Sequence, residues 1–251
     1  MATEQADRTA RQPVIRRITA PGAELDAIYE QILLPSFPPD ELDDPADLDA
    51  AVRSGLTSVW AGFDPAGRPL GAAIGEFEPT RRIVLLAWLA VRPGLRGAGV
   101  GGLLLRSALR TWRQEYDPCL VLAEVADPRA HATHDGYGDP AARLAFYRRL
   151  GARTLDLPYF QPALGTGRAR VDDVLLMALH AHPALAGPDP DTVDGDVLRG
   201  YLEDYQRSYE GAVGTDEQAS RLWRALARPD GIPLLTGDTA PPADQPPPPR
   251  A

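Results

Sequence analysis

The most constraining feature of the sequence is a glycine-rich segment between a long apolar run and an amphipathic helix. The run Arg82–Arg92 reads RIVLLAWLAVR, which is typical of a strand buried on both faces of a sheet. The segment at 93–102 reads PGLRGAGVGG, and it opens a predicted helix over Gly101–Tyr116 whose apolar residues share one stripe. The order strand, glycine loop and helix is typical of a domain in which helices cover a sheet.

The glycine-rich segment is predicted to bind a diphosphate. Successive glycines let backbone amides approach a phosphate closely, a helix start adds partial positive charge, and Arg96 adds a full one. A P-loop is excluded, because Gly-Gly-Leu stands where Gly-Lys-Ser/Thr is required. Gly97, Gly99 and Gly102 fit the Rossmann spacing G-x-G-x-x-G, but this loop follows several predicted strands instead of opening the chain.

Apolar and helical patterns divide the chain into four regions. Residues 13–182 form the main domain, and the polar residues 1–12 form a disordered tail. Residues 183–230 are a linker and a C-terminal helical hairpin, and the proline-rich tail 231–251 is disordered. In the main domain, further strands are predicted at Val14–Ile18, Thr57–Phe63, Leu70–Phe77, Leu120–Val125 and Val171–Leu179. Helices are predicted at Ala23–Leu34, before Arg53 and at Ala141–Leu150, and in the hairpin at Gly195–Tyr209 and after a capping Thr215.

Two motifs at a fixed separation resemble one known superfamily. Arg96, Gly99 and Gly101 match the pattern Arg/Gln-x-x-Gly-x-Gly/Ala, and the helix at 142–152 reads ARLAFYRRLGA. In these segments the chain resembles the GNAT superfamily of GCN5-related N-acetyltransferases, over roughly residues 14–180. The resemblance implies an α/β (α+β) fold with a mixed central sheet of about six to seven strands flanked by helices. Here the helical hairpin is an extension beyond the common core.

The resemblance also implies an acyl donor and the residues that hold it. The donor is acetyl-CoA or another acyl-CoA, whose pantetheine arm lies beside the strand before the glycine loop. The resemblance implies that Tyr147 protonates or hydrogen-bonds the departing thiolate and that the acyl group passes through a tetrahedral intermediate. The backbone positions implied to contact the donor are Leu89, Ala90, Val91, Leu95, Arg96, Gly97, Ala98, Gly99, Val100, Gly101 and Gly102.

Glu124 is the candidate proton acceptor. It is the one carboxylate in the otherwise apolar run Leu120–Val125, where a charge is costly unless it is paired or functional. An amine nucleophile must lose a proton before it attacks, and a carboxylate can accept that proton. The alternative is a side chain that reaches solvent at the end of the strand, and Glu76 and Glu78 are further candidates.

Composition excludes some classes of partner. The net charge of −9 argues against general nucleic-acid binding, which depends on basic residues that neutralise phosphates. No apolar run approaches the ~20 residues that span a bilayer, and the lone Cys119 can form no intrachain disulfide, so a cytoplasmic protein is expected. His131 and His134 lie with Asp127 and Asp135 in one loop, where a metal site is one reading. Loop histidines are more often solvated or face the substrate, so no metal is expected.

Two classes of function remain open at this level. The first is an N-acyltransferase whose acceptor is a primary amine of a small molecule or peptide, with a homodimer as one arrangement. The second is a catalytically weak acyl-CoA-binding module that docks a partner protein through Tyr201, Tyr205, Tyr209 and Trp223. The same motif also fits an O-acyltransferase or an enzyme that takes its acyl group from a carrier protein.

Overall fold

The computed structural model describes residues 13–38, 41–131, 138–165, 167–185, 187, 189 and 191–236. The chain forms two compact units, and the boundary between them falls inside a strand. Among the described residues, the first unit holds 13–123 with 138–139, and the second holds 124–131 with 140–236. The tail predicted at 1–12 lies outside the described residues, as does most of the tail predicted at 231–251.

The first unit is built on antiparallel strands that confirm the predicted ones to within one or two residues. They are β1 (Val14–Ile18), β2 (Thr57–Phe63), β3 (Pro69–Glu78), β4 (Ile83–Val91) and the start of β5 (Leu120–Ala126). They lie in the order β1-β2-β3-β4-β5, and only the β4–β5 pair is parallel. The helix Val100–Glu115 follows β4 and connects it to β5, and parallel neighbours need such a crossover connection.

The helices of the first unit are α1 (Ala23–Ile28), α2 (Pro45–Ser54) and α3 (Val100–Glu115). The predicted helix Ala23–Leu34 changes its hydrogen-bond pattern part-way, because a π-helical segment over Tyr29–Leu33 follows α1. The core of this unit combines residues from β2, β3 and β4 with the apolar faces of α1, its π-helical segment and α2. Its largest fully buried side chains include Leu25, Ile28, Ile32, Leu33 and Ile74.

A bulge in β4 lies at the point where its pairing with β5 ends. Ile74 pairs with Trp88 and Gly75 with Leu86, so Ala87 is the extra residue. The parallel pairs with β5 run from Ile83↔Leu120 to Leu86↔Ala123. A bulge bends its strand and interrupts its ladder. The bulge therefore explains why the described β4–β5 pairing stops one residue before Ala87.

The second unit contains α4 (Pro140–Arg149), β6 (Arg153–Leu155), β7 (Val174–Ala181), β8 (Thr192–Val193), α5 (Gly195–Glu210), α6 (Glu217–Leu226) and β9 (Ile232–Leu235). With the end of β5, its strands follow the order β5-β7-β6-β9-β8. The described residues thus form nine strands, more than the six to seven predicted, in a mixed α/β fold with helices on the sheet.

The C-terminal segment is part of the second unit and its sheet. The prediction of a separate extension from residue 183 differs from the structure, because β9 pairs with both β6 and β8. The predicted start of the disordered tail at residue 231 is wrong for the same reason. Asp216 caps α6 by accepting from the amide of Ala219 at 3.0 Å, which corrects the predicted cap by one residue.

Candidate active site

Three glycines give the loop before α3 its shape. Gly94, Gly97 and Gly99 have φ angles of 86°, 85° and 84°, which L-residues with side chains rarely adopt. Gly99 is the N-cap of α3, and no atom lies within 4 Å of a Cβ built on any of the three. Backbone conformation therefore requires glycine at these positions, and the exposed backbone is left open to a ligand.

The start of α3 presents unpaired backbone donors. The amide of Leu103 donates to the carbonyl of Gly99 at 3.1 Å, which is the first hydrogen bond of the helix. The amides before Leu103 have no helical carbonyl one turn earlier to which they could donate. Two amides of the loop are already paired: that of Leu95 donates to the carbonyl of Arg92, and that of Ala98 donates to the carbonyl of Leu95. Among the described residues, no hydrogen bond is donated by the amides of Gly97, Gly99, Val100, Gly101 and Gly102.

Two arginines belong to the loop and to the first turns of α3. Arg96 is exposed in the loop itself, and its Nη1 atom is 3.0 Å from the Cβ position of Gly138. Arg106 lies one turn into α3, where its Nη1 atom is 3.3 Å from the Cβ position of Gly102. Arg106 was not among the predicted site residues, although its spacing of four from Gly102 in a helix could have indicated this contact. Amide donors, helix dipole and two cations together fit a diphosphate.

The strand residues predicted beside the pantetheine arm follow the bulge. Leu89, Ala90 and Val91 pair with Ala73, Ala72 and Gly71 of β3. Ala90 is buried in the core of the first unit, whereas Leu89 and Val91 are half-buried. β3 thus pairs with one edge of this stretch. Among the described residues, β5 does not pair with the other edge.

Tyr147 lies on α4 in the second unit. Its side chain is 6% exposed and meets the ring of Phe146 edge-to-face, with 5.2 Å between centroids. Burial raises the pKa of Tyr147 to about 12, although the positive charge of Arg143 acts in the opposite direction. The phenol therefore keeps its proton throughout the physiological range, as a proton donor must.

Glu124 accepts hydrogen bonds from two neutral side chains. The hydroxyl of Tyr159 donates to its Oε1 atom, and Nε2 of Gln161 donates to Oε2 at 2.7 Å. Glu124 itself is half-buried, in a strand whose neighbouring residues Ala123 and Val125 are each 1% exposed. The sequence-based alternative was a carboxylate that escapes to solvent at the strand end, whereas these two contacts tie the carboxylate to Tyr159 and Gln161.

The charge of Glu124 acts on a tyrosine of α5. Burial and then the negative charge of Glu124 raise the pKa of Tyr205 well above its ordinary value. Burial and the same carboxylate raise the pKa of Tyr159 in the same way. The ring of Tyr205 is stacked on that of Tyr201 at 5.8 Å, and Tyr201 is 7% exposed. No local pattern in the sequence connects these tyrosines with Glu124.

The matched family model is that of the GNAT acetyltransferases, over residues 24–152. This range is slightly more than half of the 251 residues and contains both motifs. The chain belongs to the GNAT acetyltransferase family. Members of this GNAT family are acetyltransferases that use acetyl-CoA or another acyl-CoA as donor. A search of curated proteins found no match.

One solved GNAT structure shares the fold, and others are similar to the chain over part of its length. A GNAT-family acetyltransferase from Bacteroides thetaiotaomicron is 22% identical, with a TM-score of 0.56 over 77% of this chain and 98% of that one. The ribosomal-protein-S18-alanine N-acetyltransferase from Escherichia coli is 17% identical, covering 69% and 99%, with a TM-score of 0.46. A GNAT N-acetyltransferase from the same organism in complex with CoA is 19% identical, covering 68% and 83%, with a TM-score of 0.44.

Other candidate residues of this GNAT chain have structural partners. The carboxylate of Glu78 accepts from the amides of Thr80 and Arg81 at 2.9 and 2.7 Å, and so caps the β3–β4 turn. Burial would raise the pKa of Asp127, but hydrogen bonds and the charge of Arg129 outweigh burial and lower it. Asp127 is thus an ion-pair partner of Arg129.

Two findings bear on membranes and metals. Within the described ranges, no helix has the length and hydropathy needed to cross a bilayer. The same residues include no group of three or more His, Cys, Asp or Glu side chains placed to hold a metal ion. His134 and Asp135, which the sequence analysis considered, lie outside the described residues, so the expected absence of a metal stays a prediction.

Proposed function

We propose that the chain is an acyl-CoA-dependent N-acetyltransferase that acetylates a primary amine of a small molecule or peptide. The observation that carries the proposal is the half-buried carboxylate of Glu124, which Tyr159 and Gln161 orient by hydrogen bonds. A binding module has no need of an oriented proton acceptor, whereas amine acetylation does. Family membership supplies the reaction class, and the acceptor is the proposed part.

The donor is proposed to bind at the start of α3. The unpaired amides of Gly97, Gly99, Val100, Gly101 and Gly102 would donate to the diphosphate of the coenzyme. Arg96 and Arg106 would neutralise its charge. Backbone groups of Leu89 and Val91 would hold the pantetheine arm. The glycines at 94, 97 and 99 keep this backbone accessible, because none of them places a side chain over it.

Protons must be moved twice in the proposed reaction. An alkylammonium has a pKa of ~10.4, so the amine has to lose a proton before its nitrogen attacks the thioester carbon. Glu124 would accept that proton, directly or through water. The carbon–sulfur bond then breaks, and the neutral phenol of Tyr147 would protonate the thiolate as it leaves.

The proposal is tested by measuring thiol release from acetyl-CoA in the presence of a panel of primary amines. Replacing Glu124 by Gln should lower kcat about 100-fold or more, which is the usual contribution of a general base. Glu203→Gln is the matched control, since it removes the same charge from a residue that is paired with Arg199 on α5. Equal turnover by the Glu124→Gln variant and the wild type would show that this carboxylate is not the proton acceptor.

The docking-module alternative has less support in the structure. Tyr201 is buried, and the indole of Trp223 donates to the carbonyl of Gly214 at 3.0 Å within the hairpin. Tyr205 and Tyr209 meet edge-to-face, with 5.2 Å between centroids. These contacts within the second unit favour packing over docking for the four aromatic side chains, and docking of a partner protein stays a prediction. Homodimer formation stays a prediction.

A further inference from the structure

Tyr159 and Gln161, whose side chains bond to Glu124, stand in a segment with little regular structure. This irregular segment lies between β6 and β7 and is described over residues 156–165 and 167–173. Among those residues, its strand pairing is a single bridge, in which the backbone groups of Gln161 and Val171 exchange two hydrogen bonds of 3.0 Å. A two-stranded pairing by itself is marginally stable in water. The geometry at Glu124 therefore depends on what holds this segment from outside.

Glu210 of α5 contacts both arms of the irregular segment. On one arm, its Oε1 atom accepts from the amide of Ala163 at 3.1 Å. On the other arm, the guanidinium of Arg170 donates to both carboxylate oxygens, at 2.8 and 2.7 Å. Such a two-point pair fixes the relative orientation of its partners. Since both anchored residues lie within two positions of the bridge, one carboxylate holds together the pairing that presents Gln161.

Arg170 also contacts the residue between the two hydrogen-bond donors. Its guanidinium lies 4.5 Å from the centroid of the ring of Phe160, which is 2% exposed and stands between Tyr159 and Gln161. A guanidinium over an aromatic face is attracted to it. A third nitrogen, Nη1, donates to Asp216 at the start of α6 at 2.8 Å. Arg170 thus joins the backbone that carries the two donors to both helices of the hairpin.

Glu210 is itself held in place from within the hairpin. Gln206, which is 1% exposed, donates to its Oε2 atom at 2.9 Å and accepts from the amide of Gly214 at 2.9 Å. A Cβ at position 214 would lie 2.8 Å from Nη2 of Arg170 and 2.8 Å from Nε2 of Gln206. Glycine therefore leaves the space in which these two side chains reach the carboxylate.

The anchoring residues lie outside the region matched to the GNAT family. That match ends at residue 152 and includes Glu124, whereas the irregular segment, α5 and the connection to α6 all follow it. A part of the chain beyond the match therefore determines the surroundings of a residue within it.

We propose that Glu210 and Arg170 are positioning residues for the proton acceptor. By anchoring the irregular segment, they maintain the hydrogen bonds that Tyr159 and Gln161 donate to Glu124. Those bonds hold the carboxylate in one orientation, and the orientation of a reacting group contributes to the rate. The inference rests on the proposed function in taking Glu124 as the acceptor of the amine's proton.

Hydrogen exchange of the full chain tests the anchoring without any transfer reaction. Glu210→Gln keeps the shape of the side chain but removes the charge that pairs with Arg170. Peptides from the irregular segment should exchange at least about tenfold faster in this variant, as read by mass spectrometry. Glu203→Gln is the matched control on α5, since Glu203 pairs with Arg199, and it should exchange as the wild type does. Unchanged exchange of the segment in Glu210→Gln would overturn the inference.

Steady-state rates test the effect on the proton acceptor, with an amine that the wild type acetylates. Glu210→Gln should lower kcat about tenfold, less than the loss of about 100-fold expected for Glu124→Gln, because the acceptor itself remains. The KM for acetyl-CoA should stay within about twofold, since the donor loop belongs to the first unit. A raised KM with an unchanged kcat would contradict a positioning role.

A double-mutant cycle shows whether Glu210 acts through Glu124. In the Glu124→Gln background, Glu210→Gln should cause no further loss of kcat, since there is no longer a proton acceptor to orient. A general structural role would instead lower kcat about tenfold in both backgrounds, and that result would overturn the inference.

Gly214→Ala provides a second variant that changes no charge. Its Cβ displaces Arg170 and Gln206 from Glu210, so it should raise exchange in the same peptides and lower kcat by less than Glu210→Gln does. The melting temperature of each variant shows that it is folded at the assay temperature. Gly214→Ala with wild-type exchange and wild-type kcat would count against the anchoring.

The inference and the proposed function fail in different ways. If Glu124→Gln turns over like the wild type, or no amine is acetylated, the proposed function fails, and hydrogen exchange in Glu210→Gln still decides whether the segment is anchored. If Glu124→Gln loses turnover while Glu210→Gln matches the wild type in both exchange and kcat, the proposed function stands and the positioning role is refuted.

Discussion

Tyr147 shows how burial alone can set the chemistry of a side chain. Its pKa of about 12, raised by burial, keeps the phenol protonated at the pH where a thiolate would leave. Replacing Tyr147 by Phe should lower kcat for acetyl transfer about 100-fold, because the thiolate then leaves without a proton donor. The KM for acetyl-CoA should stay within about twofold, since the ring remains. Initial rates of thiol release measure both constants.

The control for this change is Tyr116→Phe, which alters a tyrosine that stacks on Phe77 in the first unit. A Tyr147→Phe variant with the kcat of the wild type would remove this residue from the mechanism. The pH profile adds an independent check. Ionisation of Tyr147 should produce no loss of activity below about pH 11, since its pKa is about 12.

Single residues of the site were predictable where a short motif contains them. Arg96, Gly99 and Gly101 share one motif, and Tyr147 stands in a second. The partners of Glu124 were not predictable, because Tyr159 and Gln161 lie 35 and 37 residues away along the chain. They belong to an irregular segment after β6, in which no helical or strand period relates a residue to its contacts.

At the scale of elements, Gly75 allows α3 to pack on β3. A Cβ at this position would lie 2.3 Å from the ring of Trp112, which is fully buried and cannot move aside. Replacing Gly75 by Ala should therefore lower the free energy of unfolding by about 3 kcal/mol, at the upper end for overpacking. Urea denaturation followed by tryptophan fluorescence measures this change.

A second glycine in the same sheet serves as the control. A Cβ at Gly62 would meet the terminal Cδ1 atom of Ile15 at 2.9 Å, and that side chain is only half-buried. Gly62→Ala should therefore cost less than about 1 kcal/mol. Equal losses in the two variants would contradict the idea that the Trp112 ring makes glycine necessary at position 75.

Arg170 joins the irregular segment to the helical hairpin. Its guanidinium bonds to Glu210 at 2.7 and 2.8 Å and to Asp216 at 2.8 Å, and it lies 4.5 Å from the centroid of Phe160. Arg170→Met should lower the free energy of unfolding by about 3 kcal/mol at pH 7, because it leaves a largely buried carboxylate without its cation. Urea denaturation at several pH values measures the loss.

The sign of the pH dependence follows from Glu210. Its hydrogen bonds with Arg170 lower the pKa of Glu210 below the ordinary 4.5. The stabilisation is therefore complete above about pH 4.5 and is lost as the pH falls through the lower, folded-state pKa. Arg221→Met removes an exposed pair with Glu217 and should leave the free energy of unfolding nearly unchanged. A difference between wild type and Arg170→Met that stays constant down to pH 2 would contradict this account.

Some strands were predictable from the sequence, and others were not. β2, β4 and β5 are long apolar runs between turns, and each was predicted to within about a residue. β6, β8 and β9 contain two to four residues, too few to show a period, and none was predicted. The four residues of β9 are a strand because they pair with β6 and β8, which no local pattern reveals.

At the scale of the whole molecule, the division into units did not follow the predicted domain boundary. The sequence changes character near residue 183, yet residues 124–131 and 140–236 form one unit. Local composition indicates where helices replace strands, but it does not show that a later strand will return to an earlier sheet. The family match at 24–152 accordingly contains parts of both units.

Binding of acetyl-CoA at the start of α3 is the central claim, and thermal unfolding of the full chain tests it most directly. A ligand at 100 times its Kd stabilises the folded state by about 2.7 kcal/mol, and in a protein of this size that raises Tm by about 5 °C or more. Arg96→Glu should lose most of this rise, while Arg110→Glu, an equal charge change farther along α3, should keep it. A wild type whose Tm does not respond to saturating acetyl-CoA, or an Arg96→Glu variant that responds as the wild type does, would contradict the account.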